Sequence, residues 1–250
     1  MHIHLPKPLY GWREFLGEVG IIVIGVLIAL SAEHIVQTLQ WHEKVRHAEQ
    51  AMRLELAEDD GPQAYGRLLI AVCLDKQLAR IHDSSRAAAS PDQLRAWVHS
   101  YAPPFRTWDS EAWKAVLASD VGSYMGPEKL VEWSAAYRTV PSLTEWNARE
   151  TDLAAELRDA LPPAGDPSPA DLQSLRRLAG QLRVLNDRIS RGSELFLART
   201  QRLGAGVSSL NKRSLQINAT GIYGACAVAP NLGATPAAQT SRANLRGFVH

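Results

Sequence analysis

The sequence predicts an all-α protein in which one N-terminal transmembrane helix continues into an extramembrane antiparallel helical bundle, followed by a disordered C-terminal tail. Three observations predict it. Val19 to Ala32 carries no charge and only Ser31 as a polar side chain. Leu175, Leu182, Ile189, Phe196 and Leu203 recur every seven residues, the spacing of a helix that packs along one seam. No segment alternates apolar and polar residues over strand lengths. The organisation that follows is a tail over 1–14, a membrane helix with interfacial flanks over 15–41, a bundle over 42–204 and a low-complexity tail over 205–250.

The apolar core by itself is short, because crossing a bilayer takes about 20 residues. Its flanks lengthen it: Phe15 and Leu16 on one side, Ile35, Val36 and Leu39 on the other. Trp12 and Trp41 bracket the whole, about 43 Å apart at about 1.5 Å per residue, which matches a bilayer with its headgroup layers, where aromatic residues concentrate. Arg13 lies beside Trp12 and can snorkel outward. Trp12, Arg13 and Trp41 are therefore the expected membrane-interface residues. A cleaved signal peptide ending near Ala29–Ala32 is the competing reading. Glu14 and Glu18 before the core, and a helical pattern that runs on past Ala32, favour an uncleaved anchor. Gly25, Ala29 and Ala32 share one helical face, and small residues spaced this way let two membrane helices approach closely. A homo-oligomer through the span is thus one expectation; the plainer reading is that glycine is simply common in membrane helices. Lys7 and Arg13 before the span, against Lys44, Arg46 and Arg53 after it, leave the orientation undecided by charge.

Gly17 to Leu30, GEVGIIVIGVLIAL, preceded by Trp-Arg-Glu-Phe-Leu and followed by an amphipathic stretch to Trp41, resembles the N-terminus of a group of uncharacterised bacterial single-pass membrane proteins. Residues 107–113, Thr-Trp-Asp-Ser-Glu-Ala-Trp, are also similar to that group. The resemblance covers 12–60 well, 105–140 loosely and the last 45 residues not at all. It implies a bacterial inner membrane, a cytoplasmic N-terminus and a periplasmic C-terminal domain, and supplies no activity.

Beyond the span nothing breaks the helix before Asp59-Asp60-Gly61-Pro62, which reads as a stop because proline disfavours helix in the residue before it. A helix over 63–82 follows, then a loop at Ser84–Ser90 and a short helix opened by Pro91. Tyr101–Phe105 breaks the chain, and Asp109 or Ser110 is placed to cap the helix SEAWKAVLAS. Gly126-Pro127 opens the next helix, Pro141 is expected to interrupt it, and Pro162–Pro169 is the clearest linker. The last helix runs from Ala170 to about Leu203, with Leu178 and Leu185 in the second seam position and Gly192 weakening that seam. Cys226 lies in the expected tail, so a bridge to Cys73 requires the tail to fold back; the tail composition argues against it.

Function is less legible. A net charge of +1 points to neither nucleic acid nor acidic substrates. His42 and His47 fall on different helix faces, and no cysteine or carboxylate accompanies His82 or His99 at ligand spacing, so no metal or other cofactor is expected. No nucleophile motif and no phosphate loop is present, so no catalysis is expected. Nine of the seventeen aromatic residues fall between Trp97 and Trp146. Most simply they fill a core; Trp108 and Trp113, in the irregular region, are the choice for a ligand or partner surface. The expectation is a membrane-anchored helical interaction or scaffold protein whose partners are the lipid bilayer and an unidentified protein. A sensor-like ligand-binding bundle at the membrane surface is the alternative.

Overall fold

The computed structural model describes residues 11–84 and 89–232, and among these it is helical with no strand. Most of the expected N-terminal tail and residues 233–250 lie outside the described residues, as does the side chain of Arg13.

The chain opens with α1 (Trp12–Leu54), a 43-residue helix. It does not stop at the Asp-Asp-Gly-Pro run. One π-helical segment, Glu55–Asp60, leads directly into α2 (Gly61–Ser84). The Gly61 N–H donates to the Leu56 carbonyl, the i→i+5 pattern of the wider turn. The widening explains why Pro62 is tolerated: in a regular helix its ring would strike the carbonyl four residues back. Gly61 is required here. A Cβ on it would stand 2.5 Å from the Leu56 oxygen and 2.8 Å from Val207 Cγ2.

Short helices α3 (Pro91–Ser100), α4 (Glu111–Ala118), α5 (Val121–Tyr124) and α6 (Pro127–Tyr137) follow. Ser90 and Gln93 form a capping box at the start of α3. Pro141 sits in the first turn of α7 (Val140–Asp159), where its missing N–H costs nothing, so the interruption falls before it. The long helix α8 (Pro169–Arg202) runs antiparallel to α2: Asp75 pairs with Arg183, Arg67 with Asn186, and Arg53 Nε donates to the Leu203 carbonyl. The seam residues Leu175, Leu178, Leu182, Leu185, Ile189 and Phe196 are all buried. Gly192 is where α7 comes closest, since a Cβ there would lie 3.0 Å from both Leu143 Cδ2 and Trp146 Cζ3.

The first part of the expected tail is helical. Residues 209–223 form α9 (Ser209–Tyr223), capped by Ser208 and running beside α2 from Glu58, which accepts from Asn211, to Leu69, whose carbonyl accepts from the Val228 N–H. Cys226 is disulfide-bonded to Cys73 with the Cα atoms 5.3 Å apart, against the expectation that the tail would not fold back. The packing of α9 on α2, which the polar composition of this stretch hides, brings the two cysteines together.

Candidate functional site

Three places position side chains in ways the fold alone does not need: the apolar part of α1, its exit into the bundle, and a charged cluster inside the bundle.

Among the described residues, no other element packs against the apolar part of α1. Its most apolar 18-residue window has a mean hydropathy of 2.4 and is 0% buried within the fold. By length and composition it is the one helix among the described residues able to cross a membrane. Trp12 is exposed and packs on Phe15. Gly25, Ala29 and Ala32 lie on exposed positions, with nothing within 4 Å of where a Gly25 Cβ would be. Trp41 is not a free belt residue: it stacks on Tyr124 of α5 with centroids 4.1 Å apart, and the Lys44 ammonium lies 4.1 Å from its ring. Just below, Glu49 ties α1 to α6. Burial alone would raise its carboxyl, but hydrogen bonds from Lys129 at 2.7 Å and Arg53 at 3.0 Å hold it below the usual carboxylate value.

The π-turn aims two carboxylates at α4. Glu55 Oε2 accepts from the Ala112 N–H at 2.9 Å, and Asp60 Oδ1 from the Asp109 N–H at 2.9 Å. The i→i+5 turn brings residues 55 and 60 to the same side. Glu55 thereby satisfies an N–H in the first turn of α4 that the helix leaves orphaned, and Asp60 ties the residue before the Ser110 N-cap. Ser110, at the N-cap position, makes no side-chain capping bond. The expected cap is thus supplied from another element, and Glu55 and Asp60 were hidden inside a run that reads as a simple stop.

Asp60 is fully buried, and burial, with the carboxylates of Glu55, Asp109 and Asp59 adding to it, pushes its pKa from 3.8 to about 7. The folded protein therefore holds a proton that the unfolded chain releases. This contribution is fully present below about pH 4 and is lost as pH rises through 7. Asp60→Asn keeps the shape and the acceptor without the charge. It is expected to raise stability at pH 8 by about 1–3 kcal/mol and leave it nearly unchanged at pH 4. Denaturant melts of both proteins across that range check it; a difference that does not grow with pH contradicts it.

At the centre of the bundle Arg67, fully buried on α2, grips Glu150 of α7 in two hydrogen bonds of 2.8 and 2.7 Å, with both side chains 1% exposed. Its second nitrogen also donates to Asn186 of α8 at 2.7 Å, while Asn186 donates to the Ala71 carbonyl at 3.1 Å. The Tyr101 hydroxyl approaches Glu150 at 3.4 Å, and burial, reinforced by the Glu150 charge, raises its pKa. Arg106 reaches in from the loop after α3 and donates to Gln63. Burial, with the Arg67 charge close by, lowers its guanidinium to about 10. One arginine thus links three helices, and the charge is paired and hydrogen-bonded, as burial demands.

Trp108 and Trp113 do not form a surface. Trp108 is buried edge-on against Phe196 at 6.0 Å, and Trp113 is half-buried, stacked on Tyr137 at 5.5 Å. The Asp60 bond to the Asp109 backbone fixes this irregular segment against the bundle, so its indoles contribute core area.

In comparisons with known proteins, no family, no curated protein and no solved structure matches this chain.

Proposed function

We propose that the protein is a single-pass membrane protein of a bacterial inner membrane whose helical domain, held on the periplasmic side, works by interaction rather than catalysis. The observation that carries this reading is the apolar part of α1, none of whose most apolar window is buried by the other described residues. Ile21, Ile22, Ile24, Leu27 and Ile28 are each more than half exposed. A row of such side chains is stable in contact with lipid and is an aggregation hazard in water. A core helix of a soluble protein does not fit a helix this unburied. A cleaved leader fits poorly as well, since the same helix runs on through Val45, Met52 and Leu56 into the core.

The disulfide supports the periplasmic side, because such bonds persist in oxidising compartments and are rare in the cytosol. In this reading, Gly25, Ala29 and Ala32 present the face through which two copies associate within the bilayer. The bundle, joined to the span by one continuous helix and fixed by its buried charges, offers a rigid platform for a protein partner. Alkaline carbonate extraction of cells expressing the full chain tests the anchor. The protein is expected to stay in the membrane pellet and to need detergent for release; recovery in the carbonate supernatant contradicts the reading.

A further inference from the structure

Helix α8 has two interior glycines, and the fold gives a reason for only one of them. At Gly192 the close approach of Leu143 and Trp146 leaves no room for a side chain. At Gly180 an added Cβ would meet nothing within 4 Å, although glycine inside a helix weakens it relative to alanine. The open space belongs to a cleft of about 400 Å³ between α7 and α8. That volume is within the range of sites for small molecules, about 300–1,000 Å³.

The cleft is apolar at its base and cationic at its edge. Leu153 and Leu185, 4% and 7% exposed, form the base, and Val184, 56% exposed, forms a wall. Arg149 and Arg188 line the same cleft. Their neighbours along α8 are occupied: Arg183 is bonded to Asp75, and Arg191 to Asp187. Among the described residues Arg188 has no carboxylate within ion-pair distance, and Arg149 has only Glu156 at 3.6 Å, both side chains about half exposed. An exposed pair of that kind holds its arginine weakly.

We propose that this cleft binds a small organic anion, with an apolar body against Leu153, Val184 and Leu185 and a carboxylate facing Arg149 and Arg188. The chemistry follows from the lining: arginine forks match a planar carboxylate, and the leucine base rewards removal of apolar surface from water. Gly180 keeps the base open. Glu150 and Asn186, next in sequence to the lining residues Arg149 and Leu185, face inward to Arg67. The site stands independently of the membrane-anchored interaction role.

The test is calorimetric titration of the full chain in phosphatidylcholine nanodiscs with octanoate, 1-octanol and inorganic phosphate, each corrected for empty nanodiscs. Octanoate is expected to bind saturably at one per chain, at least tenfold more tightly than octanol, with no saturable binding of phosphate. Arg188→Ala is expected to weaken octanoate about tenfold. Gly180→Leu fills the cleft, and because the position has free space it is expected to fold as the parent does by circular dichroism while losing octanoate binding. Heat no greater than that of empty nanodiscs overturns the proposal. So does octanol or phosphate binding as tightly as octanoate, or Gly180→Leu binding as the parent does.

Discussion

Replacing Arg67 by alanine is expected to destabilise the bundle by about 3–5 kcal/mol, because it leaves the Glu150 carboxylate buried without its partner. Glu150 is 1% exposed, so water cannot take over the two bonds that Arg67 supplies. Asn186 loses the donor to its oxygen at the same time, and an unsatisfied buried acceptor adds about 1–3 kcal/mol before relaxation. Glu150→Gln is expected to cost less, since it keeps an acceptor for the guanidinium but leaves the arginine charge buried. The double change Arg67→Met with Glu150→Leu removes both charges and is expected to recover most of the loss, as buried ion pairs replaced by apolar residues of similar volume often do. Guanidinium unfolding followed by tryptophan fluorescence, to which the buried Trp133 contributes, measures all three. A double variant no more stable than Arg67→Ala would show that geometry, not desolvation, dominates the site.

Removing the Cys73–Cys226 bond is the second large effect. It closes a loop with a sequence separation of 153 residues. The chain-entropy argument sets a ceiling of about 5 kcal/mol for a loop this long, and measured losses are typically 2–5 kcal/mol. The serine pair Cys73→Ser with Cys226→Ser is expected to lose about 2–4 kcal/mol, with the local consequence concentrated on α9. That helix exposes Leu210, Ile217 and Ile222 and fully buries only Ala219, with Leu215 and Tyr223 partly buried against the core, so it is held less deeply than α8. Hydrogen exchange is expected to accelerate over 209–223 well before it does over α8. Uniform acceleration across the bundle would mean that α9 belongs to the same cooperative unit as the core.

Much of the fold was readable because long helices leave periodic traces. The seven-residue spacing of α8 marks its seam directly, and every seam position through Phe196 is buried. What escaped was decided by tertiary contact. Asp59-Asp60-Gly61-Pro62 reads as a stop by local rules, yet the chain makes a wider turn there. Gly61 leaves room for Val207, and Glu55 and Asp60 find the N–H groups of Ala112 and Asp109 at the start of α4. The polar composition after Gly204 conceals α9, whose order depends on α2 and on a covalent bond that no spacing rule reveals. Trp108 and Trp113 were the reverse case. Their irregular surroundings suggested a surface, whereas a backbone bond from Asp109 to a buried carboxylate draws the segment inward. The central Arg67–Glu150–Asn186 cluster brings together residues up to 119 apart in the chain, and nothing in local sequence couples them. Gly192 falls on the seam register and Gly180 off it, but only the approach of α7 shows that a side chain at 192 has no room.

α1 is the one helix among the described residues long and apolar enough to cross a membrane, and we propose that it does so once, with the bundle on the oxidising side. The most direct test is protease added to spheroplasts producing the full chain with a C-terminal epitope, alongside alkylation of intact cells to trap free thiols. Digestion of the epitope without lysis, together with an unalkylated Cys73–Cys226 pair, is the expected result. An epitope protected until the membrane is opened, with both cysteines alkylated, would place the bundle in the reducing cytoplasm and contradict it.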